Sequence, residues 1–252
     1  MKLLIRLGAA LGIMGSTFLV PCPKANMSAL ALPQEEILQK LSPVPVFTIT
    51  DAQGAPLVAS VTQEDENINA SLAGIFINKS DADAFVDRLR TENPDLAASV
   101  KVVPVSLGEV YQMSQSIRDN GENLRFTFVP GQQQVESAVT LLEQSGKEGN
   151  NFNGTPLFLA KGQDEDGYLT IQRGEQQVIP MFFNKEDLQG MLDRFQSQQP
   201  EIAGSVEIEV VNLEGVIEAL QTDDDPFLTK IVLIPPRDSV EFIRQLQQGS
   251  GN

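Results

Sequence analysis

The chain contains one stretch of sequence twice. Ile75-Phe76-Ile77-Asn78-Lys79-Ser80-Asp81 aligns with Met181-Phe182-Phe183-Asn184-Lys185-Glu186-Asp187 at an offset of 106 residues. At that one offset 13 of the 36 positions from 75 to 110 are identical, among them Asp87-Arg88 with Asp193-Arg194, Pro94 with Pro200 and Leu107 with Leu213. Val44-Pro45-Val46-Phe47 against Thr155-Pro156-Leu157-Phe158, and Phe128-Val129-Pro130 against Leu233-Ile234-Pro235, extend the match with small changes in loop length. Self-similarity of this length means one folding unit used twice. The expected layout is a first lobe at 42–144, a linker at 145–152 holding Gly146, Gly149 and Asn150-Asn151, and a second lobe at 153–248.

Each unit reads in the order β-β-β-α-β-α-β-α. Phe47 to Thr50 and Leu57 to Val61, separated by Asp51-Ala52-Gln53-Gly54, have hairpin character, as do Leu157 to Ala160 and Tyr168 to Gln172 around Asp164-Glu165-Asp166-Gly167. Asn78 and Asn184 stand where helix caps belong, with Asp81 and Asp187 suited to the positive end of the dipole. Apolar residues at Ala82, Phe85, Val86, Leu89 and at Leu188, Met191, Leu192, Phe195 then recur with helical spacing, and Pro94 and Pro200 are expected to stop those helices. Val206 to Val210 alternates like a strand with one wet face, while Pro104 in its counterpart points to an edge or a strand end. The last helix of each unit carries Val135, Ala138, Val139 and Leu142, or Val240, Ile243 and Leu246. The fold class is therefore α/β (α+β): two tandem pseudo-symmetric repeats, each a mixed β-sheet with three helices.

Residues 1–31 read as an export signal. Lys2 and Arg6 precede an apolar run from Leu7 to Val20, no acidic residue occurs before Glu35, and Ala29-Leu30-Ala31 offers a small-x-small cleavage pattern. The run is short for a membrane span, so direct membrane insertion after cleavage is not expected. Cys22 is the only cysteine and would leave with the signal, so folding depends on packing rather than cross-links. The expected destination is the periplasm or the thylakoid lumen.

The same composition removes most chemistry. With no histidine and one cysteine, Ser-His-Asp and Cys-His systems and zinc frameworks are excluded, and no cofactor or metal is expected. A net charge of −16 opposes phosphate backbones, so nucleic acid is not expected as a partner. The acidic runs Glu64-Asp65-Glu66, Asp164-Glu165-Asp166 and Asp223-Asp224-Asp225 lack the spacing of a calcium loop and read as solvated turns. Asp81 with Asp187, or Asp87 with Asp193, are the pairs that a carboxylate-dependent hydrolase would use.

The strands at Gly74 to Ile77 and Ile179 to Phe183 are apolar on both faces, so something covers each side. Helices account for one. The second is covered by the sister lobe or is an open surface that binds partners; Phe47, Phe76, Phe158 and Phe182 are the candidate polypeptide-binding residues for such a surface.

The Val-Pro-Val-Phe segment, the twice-used Asn-Lys-x-x-Asp helix start, the Asp-Arg pair and the proline after that helix resemble a known family. It is the twenty-two-kilodalton component of the Tic translocon of the chloroplast inner envelope, with exported cyanobacterial relatives, and the likeness covers residues 42 to 248. The resemblance implies a non-enzymatic protein with two pseudo-symmetric lobes and apolar pockets, without catalytic residues. It implies a chaperone-like role in protein translocation or outer-membrane biogenesis. The implied partners are unfolded or precursor polypeptides and the soluble domains of the outer-membrane assembly barrel. An adaptor docking one fixed partner, and the hydrolase above, are the alternatives.

Overall fold

The computed structural model describes residues 32–63, 68–146, 152–162, 167–198 and 206–249. The signal, most of the linker, two of the three acidic runs and Pro200 lie outside the described residues.

The chain enters through α1 (Gln34–Leu41). The first repeat follows as β1 (Pro45–Asp51), β2 (Val58–Gln63), β3 (Ile68–Phe76), α2 (Lys79–Glu92), a short α3 (Pro94–Ser99), β4 (Val100–Ser106), α4 (Leu107–Asp119), β5 (Leu124–Val129) and α5 (Gln132–Gln144). The second runs β6 (Pro156–Gly162), β7 (Ile171–Arg173), β8 (Gln176–Phe182), α6 (Lys185–Gln198), β9 (Val206–Asn212), α7 (Leu213–Thr222), a short α8 (Pro226–Lys230), β10 (Ile231–Ile234) and α9 (Arg237–Gly249). The expected element order holds in both repeats, with the short α3 and α8 added.

Each repeat forms one mixed five-stranded sheet. In the first, β1 pairs antiparallel with β3 and β4, β2 antiparallel with β3, and β5 parallel with β3. The second repeats the scheme with β6, β8, β9, β7 and β10. β4 is an edge strand, as Pro104 requires, because a ring without an N–H leaves a gap in any ladder it would donate to. The expected hairpins form only at their tips. β1 meets the approach to β2 through the Thr50–Pro56 bridge and the Leu57 N–H to Ile49 carbonyl bond of 2.7 Å, after which β2 pairs along β3 instead. The tip is an Asx turn: Asp51 Oδ1 accepts the N–H groups of Gln53 and Ala55, both at 2.9 Å.

Several starts and stops differ from expectation in instructive ways. Asn78 occupies the cap position of α2 but makes no capping bond; its amide donates to Asp81 at 2.9 Å. Pro94 does not simply end a helix. It opens α3, whose cap Asn93 accepts the Leu96 N–H, because proline at the first helical position forfeits a donor that had no partner anyway. Ser106 and Glu109 form a reciprocal capping box on α4, and Asn212 accepts the Gly215 N–H on α7. In the described acidic run, Asp223 to Asp225 are exposed, as a solvated loop requires, and Asp225 in addition caps α8 by accepting the Phe227 N–H.

The packing crosses the lobe boundaries. One cluster joins the inner faces of both sheets, through Val46, Ile75, Ile77, Leu157, Leu159, Ile179, Met181 and Phe183, to α1, α4 and α7. Ile37 and Leu41 belong to it, so α1, which precedes the expected first lobe, is part of the core. The outer face of each sheet is covered by its own helix and by the last helix of the other repeat. On the first sheet Phe242 of α9 joins Phe47, Ile49, Phe76, Ala82 and Val86; on the second, Ala138 of α5 joins Phe158, Ala160, Phe182 and Leu188. The two repeats have thus exchanged their final helices. This is why the central strands are apolar on both faces: residues of alternating direction are all covered.

Candidate polypeptide-binding grooves

The four candidate phenylalanines come together in pairs. Phe47 is the cross-strand partner of Phe76, and Phe158 of Phe182, each pair on the outer face of its sheet. That face is not an open groove. Phe47 and Phe158 are 0 % exposed, Phe76 5 % and Phe182 7 %. The exchanged helices explain the difference: the Phe242 ring lies 5.8 Å from that of Phe47, and Lys79 Nζ stands 4.9 Å from the centroid of Phe242 on the same side. Of the four, only Phe182 lines one of the clefts described here.

Open apolar surface occurs instead beside each exchanged helix. A groove of about 400 Å³ is lined by Pro45, Pro104 and Val105 of the first sheet and by Val240, Ile243 and Arg244 of α9. Its pseudo-symmetric counterpart, about 550 Å³, is lined by Phe128, Pro130, Val135 of α5, Phe152, Gly154 and Asn212. Val135 and Val240 hold equivalent places, as do Ser106 and Asn212 at the strand ends. Both volumes fall in the usual range of binding cavities, roughly 300–1,000 Å³.

The walls are fixed by local chemistry. The Glu214 carboxylate accepts the Thr155 N–H at 2.9 Å and the Thr155 hydroxyl at 3.2 Å, pinning the start of β6 beneath the second groove. In the first, Ser106 and Glu109 bond reciprocally across the mouth while capping α4. Sequence reading had assigned Val240, Ile243 and Val135 to the apolar faces of terminal helices; their spacing was visible, their host sheet was not.

A wider cleft of about 1010 Å³ separates α1 from β7 and β10; its lining mixes charged groups, Glu35, Glu36, Lys40 and Arg173 among them, with apolar ones such as Ile171, Ile231, Leu233 and Pro235. Lys40 donates to the Thr229 and Ile231 carbonyls at 2.7 and 3.2 Å, tying α1 to the second repeat, and burial of its ammonium lowers its pKa.

The carboxylates considered for hydrolysis sit in helical surroundings. Asp81 accepts from Asn78, Asp187 pairs with Arg237 at 2.7 Å, Asp87 with Arg90, and Asp193 accepts from Gln189 at 2.9 Å. Among the described residues no group of three or more His, Cys, Asp or Glu side chains could hold a metal ion, and no helix is long and apolar enough to cross a membrane.

Comparison with known proteins agrees with this architecture. Residues 9–246 match the model of the Tic22-like family. The chain is 26 % identical over 213 residues to Protein TIC 22-like, chloroplastic, of Arabidopsis thaliana, a match that spans 83 % of this chain and 63 % of that relative. It is 24 % identical to Protein TIC 22, chloroplastic, of the same plant, across 84 % of this chain and 72 % of the relative. Among solved structures, Tic22 from Anabaena, described as a protein-transport protein, superposes with a TM-score of 0.74 at 32 % identity over 85 % of this chain and 97 % of that one. Tic22 from Plasmodium falciparum shares the fold, with a TM-score of 0.67 at 21 % identity over 84 % and 98 %. The duplicated unit, the sheet order and these matches lead to one conclusion: this chain belongs to the Tic22-like family.

Proposed function

We propose that the protein is a non-enzymatic, chaperone-like factor that holds polypeptides in the two pseudo-symmetric grooves during protein translocation or outer-membrane biogenesis. The observation that carries this reading is the paired apolar grooves beside the exchanged helices α5 and α9. Two related relatives support its direction, one named chloroplastic TIC 22 and one described by the words protein transport. A client segment is held by hydrophobic burial, worth roughly 25 cal/mol per Å² of apolar area removed from water. The net charge of −16 keeps a loaded complex soluble and steers it towards basic segments of precursors. The leader at 1–31 directs the chain to the periplasm or the thylakoid lumen, where the soluble domains of the outer-membrane assembly barrel are the expected partners.

The test is suppression of aggregation of an unrelated unfolded protein by the purified chain without its leader. Suppression that falls when Val240→Glu and Val135→Glu are introduced separately, and falls further in the double variant, supports the reading. Absence of suppression at several-fold excess overturns it in favour of an adaptor. Suppression that the groove variants leave intact places the client elsewhere.

A further inference from the structure

The two repeats differ at one place in a way that makes a site. In the first, Phe85 lies on Phe76 with ring centroids 5.6 Å apart, and the Arg88 guanidinium covers the Phe85 ring at 6.0 Å. In the second, the position of Phe85 is held by Met191, that of Leu89 by Phe195, and that of Gln132 by Arg237. There a cleft of about 450 Å³ opens, floored by Phe182, Met191, Phe195 and Ile234 and bounded by Asp187, Arg194 and Arg237. Arg194 corresponds to Arg88 but has no Phe85 ring beneath it; its Nε donates to the Gly190 carbonyl at 2.8 Å. Arg237 meets Asp187 through Nε at 2.7 Å. Among the described residues the Nη groups of both arginines make no hydrogen bond to the protein.

We infer that this cleft binds an apolar carboxylate: an aromatic or branched side chain against Phe182 and Met191, with its carboxylate taken by Arg194 and Arg237. Three features of the cleft converge on this class. The volume suits one large side chain and is too small for a helix. The floor is apolar and aromatic. The rim offers planar forked donors, which match a carboxylate better than any other common anion except phosphate. An apolar floor disfavours phosphate, which has no apolar part to bury. The chemistry is shared by the free C-terminus of a polypeptide ending in Phe and by a small aromatic acid. The site is separate from the two grooves and does not depend on their holding clients.

The experiment uses the chain without its leader and three probes: a labelled hexapeptide ending in a free Phe carboxylate, the same peptide amidated, and 3-phenylpropanoate. Expected are binding of the free-acid peptide, loss of about tenfold in affinity in Arg194→Gln or Arg237→Gln alone, and loss of about a hundredfold on amidation or in the double variant, each charge-assisted contact being worth about tenfold. Met191→Phe, which restores the packing of the first repeat, abolishes binding while the thermal midpoint and the near-ultraviolet dichroism stay unchanged. 3-Phenylpropanoate binding as tightly as the peptide assigns the site to small acids; peptide binding at least about tenfold tighter assigns it to polypeptide termini. Equal binding of free and amidated peptide, or unchanged binding in folded Met191→Phe, overturns the proposal. Val135→Glu, on α5 and outside this cleft, leaves this binding intact, so its failure and that of the grooves are read separately.

Discussion

Gln134 Oε1 accepts the backbone N–H of Lys185 at 2.9 Å, while its Nε2 donates to Glu186 at 2.8 Å. A residue of the first repeat thus supplies the cap that the first turn of α6 in the second repeat needs. The pseudo-equivalent residue, Ser239, is fully buried and donates to the Ile77 carbonyl at 3.3 Å, from the second repeat to the first. The exchange of terminal helices is fastened by a buried polar side chain at both ends.

Gln134→Ala leaves the Lys185 N–H without its partner in a part-buried setting and removes one bond to the exposed Glu186. The expected cost is about 1–2 kcal/mol. Gln133→Ala, which removes one exposed bond of 3.1 Å to Glu186, costs less than about 0.5 kcal/mol. Urea unfolding of the two variants checks the difference.

Truncating Phe242 to Ala removes the ring that closes over Phe47. Because the side chain is only partly buried, the loss is about 2–3 kcal/mol, below the range for a sealed phenylalanine. Gln248→Ala on the same helix, at the exposed surface, changes stability by less than about 0.5 kcal/mol. Hydrogen exchange is expected to quicken in β1 and β3, which carry Phe47 and Phe76, and not in β6 and β8. Acceleration in the second sheet instead would contradict the exchange of helices.

Gly154 has φ of +100°, and a Cβ there would lie 2.5 Å from Glu214 Oε2, the oxygen that anchors Thr155. Gly154→Ala therefore combines backbone strain with a disturbed anchor and costs about 2–3 kcal/mol. Gly190 lies within α6 with open space where its Cβ would be, so Gly190→Ala stabilises by about 0.5–1 kcal/mol. Thermal melts of opposite sign are the expected result.

The phenol of Tyr168 is held above its ordinary pKa of 10.0, first by burial and then by the Glu209 carboxylate to which it donates. With the folded pKa raised, this group's stabilising contribution is complete below the unfolded value and is lost as pH rises through the folded one. In Tyr111→Phe, Tyr168 is the only tyrosine, and ultraviolet titration is expected to show a midpoint above 10.0 that falls when Glu209→Gln is added. A midpoint unmoved by Glu209→Gln would show that the contact does not form in solution.

The repeat itself, the strand and helix order within it and the position of β4 beside Pro104 were all readable along the chain, because periodicity and proline chemistry act within a few residues. The alternation at Ile75-Phe76-Ile77 also showed that both faces of the central strands are covered. What the residues could not disclose was the cover. An apolar stripe such as Val240, Phe242 and Ile243 fits the sheet of its own repeat or that of its sister equally well, since hydrophobic burial has no direction and the two sheets present the same pattern. Only the three-dimensional arrangement placed α5 and α9 across the repeats, sealed the four phenylalanines, moved the open apolar surface to the grooves beside those helices, and left a cleft where Met191 replaces the ring of Phe85.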